Sequence, residues 1–403
     1  MNDLPKKIAL VHEWFTPKSC GGAEQVVRSI DKIISSSLGV TPDLFSLVDG
    51  ESSRKESWLY KRFIRTSLIQ SLPFATKNVQ KYLPLLPYAI EQLDLSSYPL
   101  VVSSNHLVAK GVLTSPDQFH LSYIHTPVRY AWDQMNVYLQ RSILSKAGLE
   151  PIIRWQLHKL RQWDQLSGAR VDYLLANSRF TARRIEKYWR RESTVVHPPV
   201  EVDRFRFDED RADYYLCLCR LVPNKKVDLV IRAFNVLGLP LIVVGDGPER
   251  AHLNRIAGRN IKLLGYQPKE SVEKLMQKCR AYVYAGVEDF GIAPVEAMAA
   301  GAPIIALGKG GLLDTVKCAS KGIQSATGVL FRDQTVSSLI DAVTWFEDKK
   351  IWAKMSPEFI NSWAKTFSPQ NFYNRFEFVL KQSWEDHLKK CSIASAYNDY
   401  PKD

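Results

Sequence analysis

The chain has 403 residues, more than one compact domain usually holds, and its 45% hydrophobic content is enough for two cores. Its 54 basic against 42 acidic residues give a formal charge of +12, which draws phosphates without choosing among nucleotides, nucleic acid and anionic lipid. No run approaches the ~20 apolar residues of a membrane span, the polar opening Met1 to Lys7 leads into too short an apolar run for a signal peptide, and the six cysteines show no C-x-x-C pairing; a cytoplasmic chain without zinc or a structural disulfide is expected.

Short apolar runs alternate with amphipathic segments of helical length, which predicts βαβ units and parallel sheets, and the pattern runs twice. In the first half strands are expected at 8–12, 100–103, 122–125, 173–176 and 194–196, after which Pro198-Pro199 breaks the rhythm. A polar stretch at 201–213 reads as a linker. Within it Asp208-Glu209-Asp210 has the D-x-D form of a metal-binding motif, but its place in a linker makes it a solvated charge run. The second series is expected at 214–219, 240–244, 261–264, 281–284, 303–306 and 329–331, and the chain turns helical beyond Val336, with Trp345, Phe372, Phe376 and Phe378 among its apolar positions. The boundaries that follow are 1–200, a linker at 201–213, 214–370, and a helix and tail at 371–403 that returns to the first domain.

Two segments of the first half, 58–86 and 138–170, mix aromatic and aliphatic residues with Lys and Arg. That composition suits either an amphipathic surface on an anionic membrane or ordinary helices packed over a core.

The residues with the clearest chemistry follow predicted strands. Glu288-Asp289-Phe290-Gly291-Ile292 leads into a helix that holds Glu296, so both carboxylates can face the crevice at a sheet's carboxyl edge. Gly291 lets the backbone turn, and amides around Phe290, Gly291 and Ile292 at the helix start can bind an anion. The alternative is a pair of solvated surface carboxylates. Arg220 and Lys225, in Cys219-Arg220-Leu221-Val222-Pro223-Asn224-Lys225-Lys226, would emerge from another strand end, where two fixed cations can stabilise negative charge; a basic loop facing solvent is the other reading. Gly245 and Gly247 read as turn residues, and Gly21-Gly22 lets backbone approach a ligand or simply turns. His125 ends a strand, as a site residue or as a buried, satisfied histidine.

The run from Glu288 to Ile304 resembles the E-x7-E signature of the family-4 (group 1) retaining glycosyltransferases, and the 219–229 segment resembles that family's G-R-L-x-x-x-K-G-x-D-x-L loop, with Cys219 and Lys226 standing where the family commonly has glycine. Gly21-Gly22-Ala23-Glu24 resembles its G-G-x-E loop, and Tyr123-Ile124-His125-Thr126-Pro127, with His12, Glu13 and Trp14, resembles bacterial polysaccharide mannosyltransferases. The resemblance runs from Ile8 to about Phe378 and implies α/β GT-B architecture, two Rossmann-like domains facing each other across a cleft.

It also implies roles. Glu288 would hold donor-sugar hydroxyls, Glu296 the ribose, Arg220 and Lys225 the leaving diphosphate, and His125 the sugar. Gly21, Gly22, Gly265, Tyr266, Phe290, Gly291 and Ile292 would line the donor, while His12, Glu13 and Trp14 would help form the acceptor side. The implied reaction is metal-independent, cofactor-free transfer of a hexose, mannose from GDP-mannose, onto a lipid-linked saccharide or growing surface polysaccharide. A cytoplasmic chain peripheral to the membrane fits it. Rivals are a nucleotide-sugar epimerase or phosphorylase of the same fold, and a non-catalytic nucleotide- or nucleic-acid-binding module. No nucleic-acid-binding signature supports the last.

Overall fold

The computed structural model describes residues 4–17, 21–37, 39–136, 139, 148–208 and 210–396; Cys20, Tyr138 and Glu209, which figure in the sequence reading, lie outside the described residues. The chain divides into two compact units, Met1–His197 with Phe372–Asp403, and Pro198–Asn371.

In the first unit β1 (Ile8–Phe15), β2 (Asp43–Asp49), β3 (Ile64–Thr66), β4 (Leu100–Asn105), β5 (Phe119–Ile124), β6 (Tyr173–Ala176) and β7 (Thr194–Val195) form one sheet in the order β3-β2-β1-β4-β5-β6-β7. Every pairing is parallel. Strands covered on both faces read as continuous apolar runs, and alternate residues of β1 serve opposite cores. Ala9 and Val11 pack with Ala89, Ile90, Leu157 and Leu160, whereas Ile8 and Leu10 pack with Val26, Ile30, Phe372 and Phe376. The last two belong to the long helix Pro369–Ala396, where Phe372, Phe376, Leu380 and Trp384 recur every fourth residue and so share one buried face. Phe378 falls off that stripe and is exposed.

The second unit holds β8 (Tyr215–Leu218), β9 (Leu241–Val244), β10 (Ile261–Gly265), β11 (Ala281–Tyr284), β12 (Ile304–Leu307) and β13 (Gly328–Phe331), again all parallel, in the order β10-β9-β8-β11-β12-β13. Its helix Val227–Leu237 buries Val227, Val230, Ile231 and Phe234 and stops at Gly238, whose left-handed conformation lets its N–H reach the Phe234 carbonyl.

In both sheets the order of strands reverses once, between β1 and β4 and between β8 and β11. At such a point the connections leave in opposite directions and open a crevice at the carboxyl edge.

Candidate functional site

The loops that leave β8 and β11 border the second unit's reversal point, and they carry the two strongest sequence signals. From the first loop Lys225 Nζ donates to Glu288 Oε1 at 2.5 Å. The Tyr284 hydroxyl, at the end of β11, donates to the same oxygen. Burial, the Glu288 charge and this bond hold the Tyr284 phenol far above its usual range, so it stays a donor. Arg220 is exposed, and its carbonyl accepts the Val222 N–H at 2.8 Å, while its guanidinium has no hydrogen bond or ion pair among the described residues. Lys226 adopts a left-handed conformation (φ 55°), the backbone state that glycine tolerates best, and it is Lys225 that points to the carboxylate.

This loop is shaped by its neighbours. Gly245 (φ 133°) donates its N–H to the Gly265 carbonyl, and a side chain there would run into the Cys219 carbonyl oxygen, 1.9 Å from an added Cβ. The loops carrying Arg220 and Gly265 therefore meet at a position that only glycine fills. Gly265 ends β10 in a left-handed conformation, and Tyr266 beyond it is 78% exposed.

Past Glu288, Gly291 (φ 98°) forms the N-cap of the helix Ile292–Ala299 with no side-chain cap hydrogen bond. The Phe290 ring is buried and meets Phe367 edge-on at 5.6 Å, so a donor could use this position only through its main chain. One helical turn on, Glu296 Oε1 accepts from Arg204 at 2.7 Å. Burial raises the Glu296 carboxyl, against the pull of Arg204.

The first unit gathers a second polar group at its own reversal point. Glu13 is fully buried, and its Oε1 accepts the consecutive N–H groups of His106, Leu107, Val108 and Ala109. Its Oε2 lies 2.9 Å from His106 Nδ1. Burial opposes charge on both, but the Glu13–His106 attraction outweighs it, lowering the carboxyl and raising the imidazole. His12 Nδ1 lies 3.0 Å from the Ser104 carbonyl, which requires that nitrogen to be the donor. Trp14 is buried as well, so the side chains of His12, Glu13 and Trp14 support the loop after β4 from within. The partly exposed member is His106, which sequence reasoning missed.

His125 Nε2 pairs with the Ser104 hydroxyl at 2.9 Å, and burial holds its imidazole down to about 3, hence neutral at physiological pH. Among the described residues, His12, Glu13 and His106 are close enough to share a metal ion, and the amides on Glu13 Oε1 and the carbonyl at His12 Nδ1 leave Glu13 Oε2, His12 Nε2 and His106 Nδ1 without a hydrogen bond. Gly21 and Gly22 begin the helix Gly22–Ser37, and the Gly21 N–H donates to Glu24 at 2.9 Å, so this pair forms a capped helix start.

The two mixed segments also resolve into faces. The helix Glu150–Arg170 buries Asp164, which accepts from Lys110, Trp132 and Trp189. Its outer face exposes Ile152, Trp155 and Lys159, and the other segment exposes Phe63, Phe74, Lys77 and Lys81. No helix among the described residues is long and apolar enough to cross a membrane.

Residues 200–365 match the family Glycosyl transferases group 1. Among curated proteins, the chain is 27% identical over 230 residues to a GDP-mannose-dependent monoacylated alpha-(1-6)-phosphatidylinositol monomannoside mannosyltransferase of Corynebacterium glutamicum, covering 47% of this chain and 58% of that protein. It is 31% identical over 176 residues to a GDP-mannose-dependent alpha-(1-6)-phosphatidylinositol monomannoside mannosyltransferase of Mycobacterium tuberculosis, covering 36% and 44%. The alignments thus span about half the length of the curated relatives. Among solved structures, a sucrose-phosphate synthase from Thermosynechococcus elongatus superposes with a TM-score of 0.70 at 17% identity, over 95% of this chain and 100% of that one. The lipopolysaccharide outer core galactosyltransferase WaaB does so with a TM-score of 0.64 at 15% identity, over 93% and 99%. These likenesses establish the fold, two Rossmann-like domains of GT-B type.

Proposed function

We propose, from the match of residues 200–365 to the Glycosyl transferases group 1 family, that the chain transfers a hexose from a nucleotide sugar held in the second unit, with retention of configuration and without a metal. The observation that carries this reading is the convergence of Lys225 and Tyr284 on one oxygen of Glu288, at the reversal of the second sheet and just before the helix bearing Glu296. A donor's diphosphate draws Lys225 from Glu288, and Arg220 adds a second cation. Glu288, released from its lysine, takes sugar hydroxyls, while Glu296 takes the ribose.

In the transfer, the C1–O bond to the diphosphate breaks and a bond from C1 to the acceptor oxygen forms on the same face. A phosphate oxygen takes the acceptor's proton. The bound ions and dipoles position the partners and stabilise the leaving charge, so no protein nucleophile is required. His125, neutral and partnered by Ser104, is assigned a hydrogen-bonding role in the transfer.

We assign mannose from GDP-mannose as the donor, on the strength of the mannosyltransferase relatives. A lipid-linked saccharide is assigned as the acceptor, reached from an anionic membrane surface against which Phe63, Phe74, Ile152 and Trp155 lie among basic residues. Isothermal titration with GDP-mannose, UDP-glucose and ADP-glucose tests the donor. Selective binding of GDP-mannose, unaffected by EDTA and lost in Lys225→Ala, is expected; equal binding of all three would remove the GDP-mannose assignment.

A further inference from the structure

Arg204 lies in the single turn Val202–Arg204 ahead of β8, and its guanidinium is held on three sides. One terminal nitrogen donates to Glu296 Oε1 at 2.7 Å and the other to Glu273 Oε1 at 3.1 Å, while its central carbon stands 4.4 Å from the centre of the Phe205 ring. Glu273 belongs to the helix Lys269–Lys278, the one that follows the Gly265-Tyr266 loop. One side chain thus ties the helix beyond that loop to the helix that carries Glu296.

A glutamate has several rotamers, and an arginine bound to one oxygen selects among them. With Oε1 committed to Arg204, Glu296 keeps a second oxygen that has no hydrogen bond among the described residues, on a side chain 15% exposed. An ionised carboxylate accepts and never donates, so that oxygen suits a hydroxyl and repels a phosphate in the same place.

We propose that Arg204 is the positioning residue for the donor's ribose: it holds Glu296 through Oε1 so that Oε2 is presented to a ribose hydroxyl. This rests on the reading of Glu296 as the ribose-binding carboxylate. Arg204 touches the carboxylate and not the donor. Recognition is lost when Glu296 swings free, even though the carboxylate remains. A substrate without the hydroxyl leaves a half-buried carboxylate oxygen unpaired, which makes the contact discriminating.

The test is the ratio of dissociation constants for 2′,3′-dideoxy-GDP and GDP, measured by isothermal titration on the full chain, with the ADP and UDP pairs run in parallel. For the best-bound base, wild type is expected to favour the ribonucleotide by at least about tenfold. Glu296→Gln and Arg204→Gln should both bring the ratio close to one, Arg204→Lys should restore part of it, and Glu273→Gln, which removes the second anchor but leaves Arg204, should give an intermediate ratio. Thermal melting checks each variant, and if Arg204→Gln does not fold, the Arg204→Lys and Glu273→Gln ratios decide. A wild-type ratio near one, or a full ratio in Glu296→Gln, overturns the ribose reading and the proposal together. A ratio that collapses in Glu296→Gln and stays at the wild-type value in the folded Arg204 and Glu273 variants overturns the proposal alone.

Discussion

At the scale of single residues, Glu288 Oε1 is the acceptor on which a lysine and a phenol converge, and the two donors do different work. In the proposed reading Lys225 moves to an incoming diphosphate, whereas Tyr284, anchored in a buried strand, keeps the carboxylate aimed. Lys225→Ala is accordingly expected to lower kcat/KM by at least about 100-fold, the size usual for a lost transition-state cation. Tyr284→Phe should cost about tenfold at unchanged melting temperature, because only one hydrogen bond goes. Steady-state kinetics on both variants checks this, and equal losses would remove the distinction.

A second expectation concerns pH. His120 and His125 are held to about 3 by burial, while an unfolded imidazole titrates near ~6.5. Between those values the unfolded chain binds more protons, so stability falls as pH drops through the window, by up to about 1.4 kcal/mol per pH unit for each histidine. Urea unfolding from pH 7 to pH 4 should show that slope and a shallower one in His120→Gln; a flat midpoint would contradict it.

The Lys225–Glu288 contact joins two residues that the sequence marks, each in a contiguous motif after an apolar run, as are the candidates Glu296 and Arg220. Tyr284 was not legible in the sequence, since a tyrosine ending an apolar strand looks like core. Arg204 was hidden by distance, its partners lying 69 and 92 residues away, and the His106 imidazole is likewise held up by Glu13 of β1, 93 residues away.

Among elements, the loops of the second unit depend on glycine at one contact. Gly245→Ala would push the Cys219 carbonyl aside and impose φ 133° on a residue with a side chain, shifting the loop that presents Arg220 and Lys225. Weaker donor binding by at least about tenfold is expected, with a lowered melting temperature, and wild-type affinity would contradict the coupling of these loops. The helix Pro369–Ala396 is equally integral to the first unit, and Phe376→Ala should cost about 3–5 kcal/mol in denaturant unfolding, the usual loss for a fully buried phenylalanine.

Eleven of the strands coincide with apolar runs visible in the sequence. β2 and β3 escaped for a physical reason: Asp43, Ser46 and Asp49 interrupt the apolar character of β2, and β3 is only three residues long. Phe372, Phe376, Leu380 and Trp384 form a stripe that periodicity can reveal, but the core receiving it is built from residues near the other end of the chain, which no local pattern specifies.

For the whole molecule, the +12 charge and the exposed aromatic and aliphatic residues of the first unit have a joint consequence. Co-sedimentation with vesicles containing phosphatidylglycerol is expected, weakened by salt and by the double variant Phe63→Ser, Trp155→Ser, with neutral phosphatidylcholine vesicles binding little. Equal binding to both vesicle types would contradict an anionic surface as partner.

Transfer itself is tested most directly by measuring nucleoside diphosphate release from a panel of GDP-, UDP- and ADP-sugars, with and without EDTA, beside Glu288→Ala and Arg220→Ala. The expected result is release from one donor class, undiminished by EDTA and abolished in both variants. No release from any sugar nucleotide, together with no donor-induced thermal shift, would contradict the assignment of a nucleotide-sugar transferase.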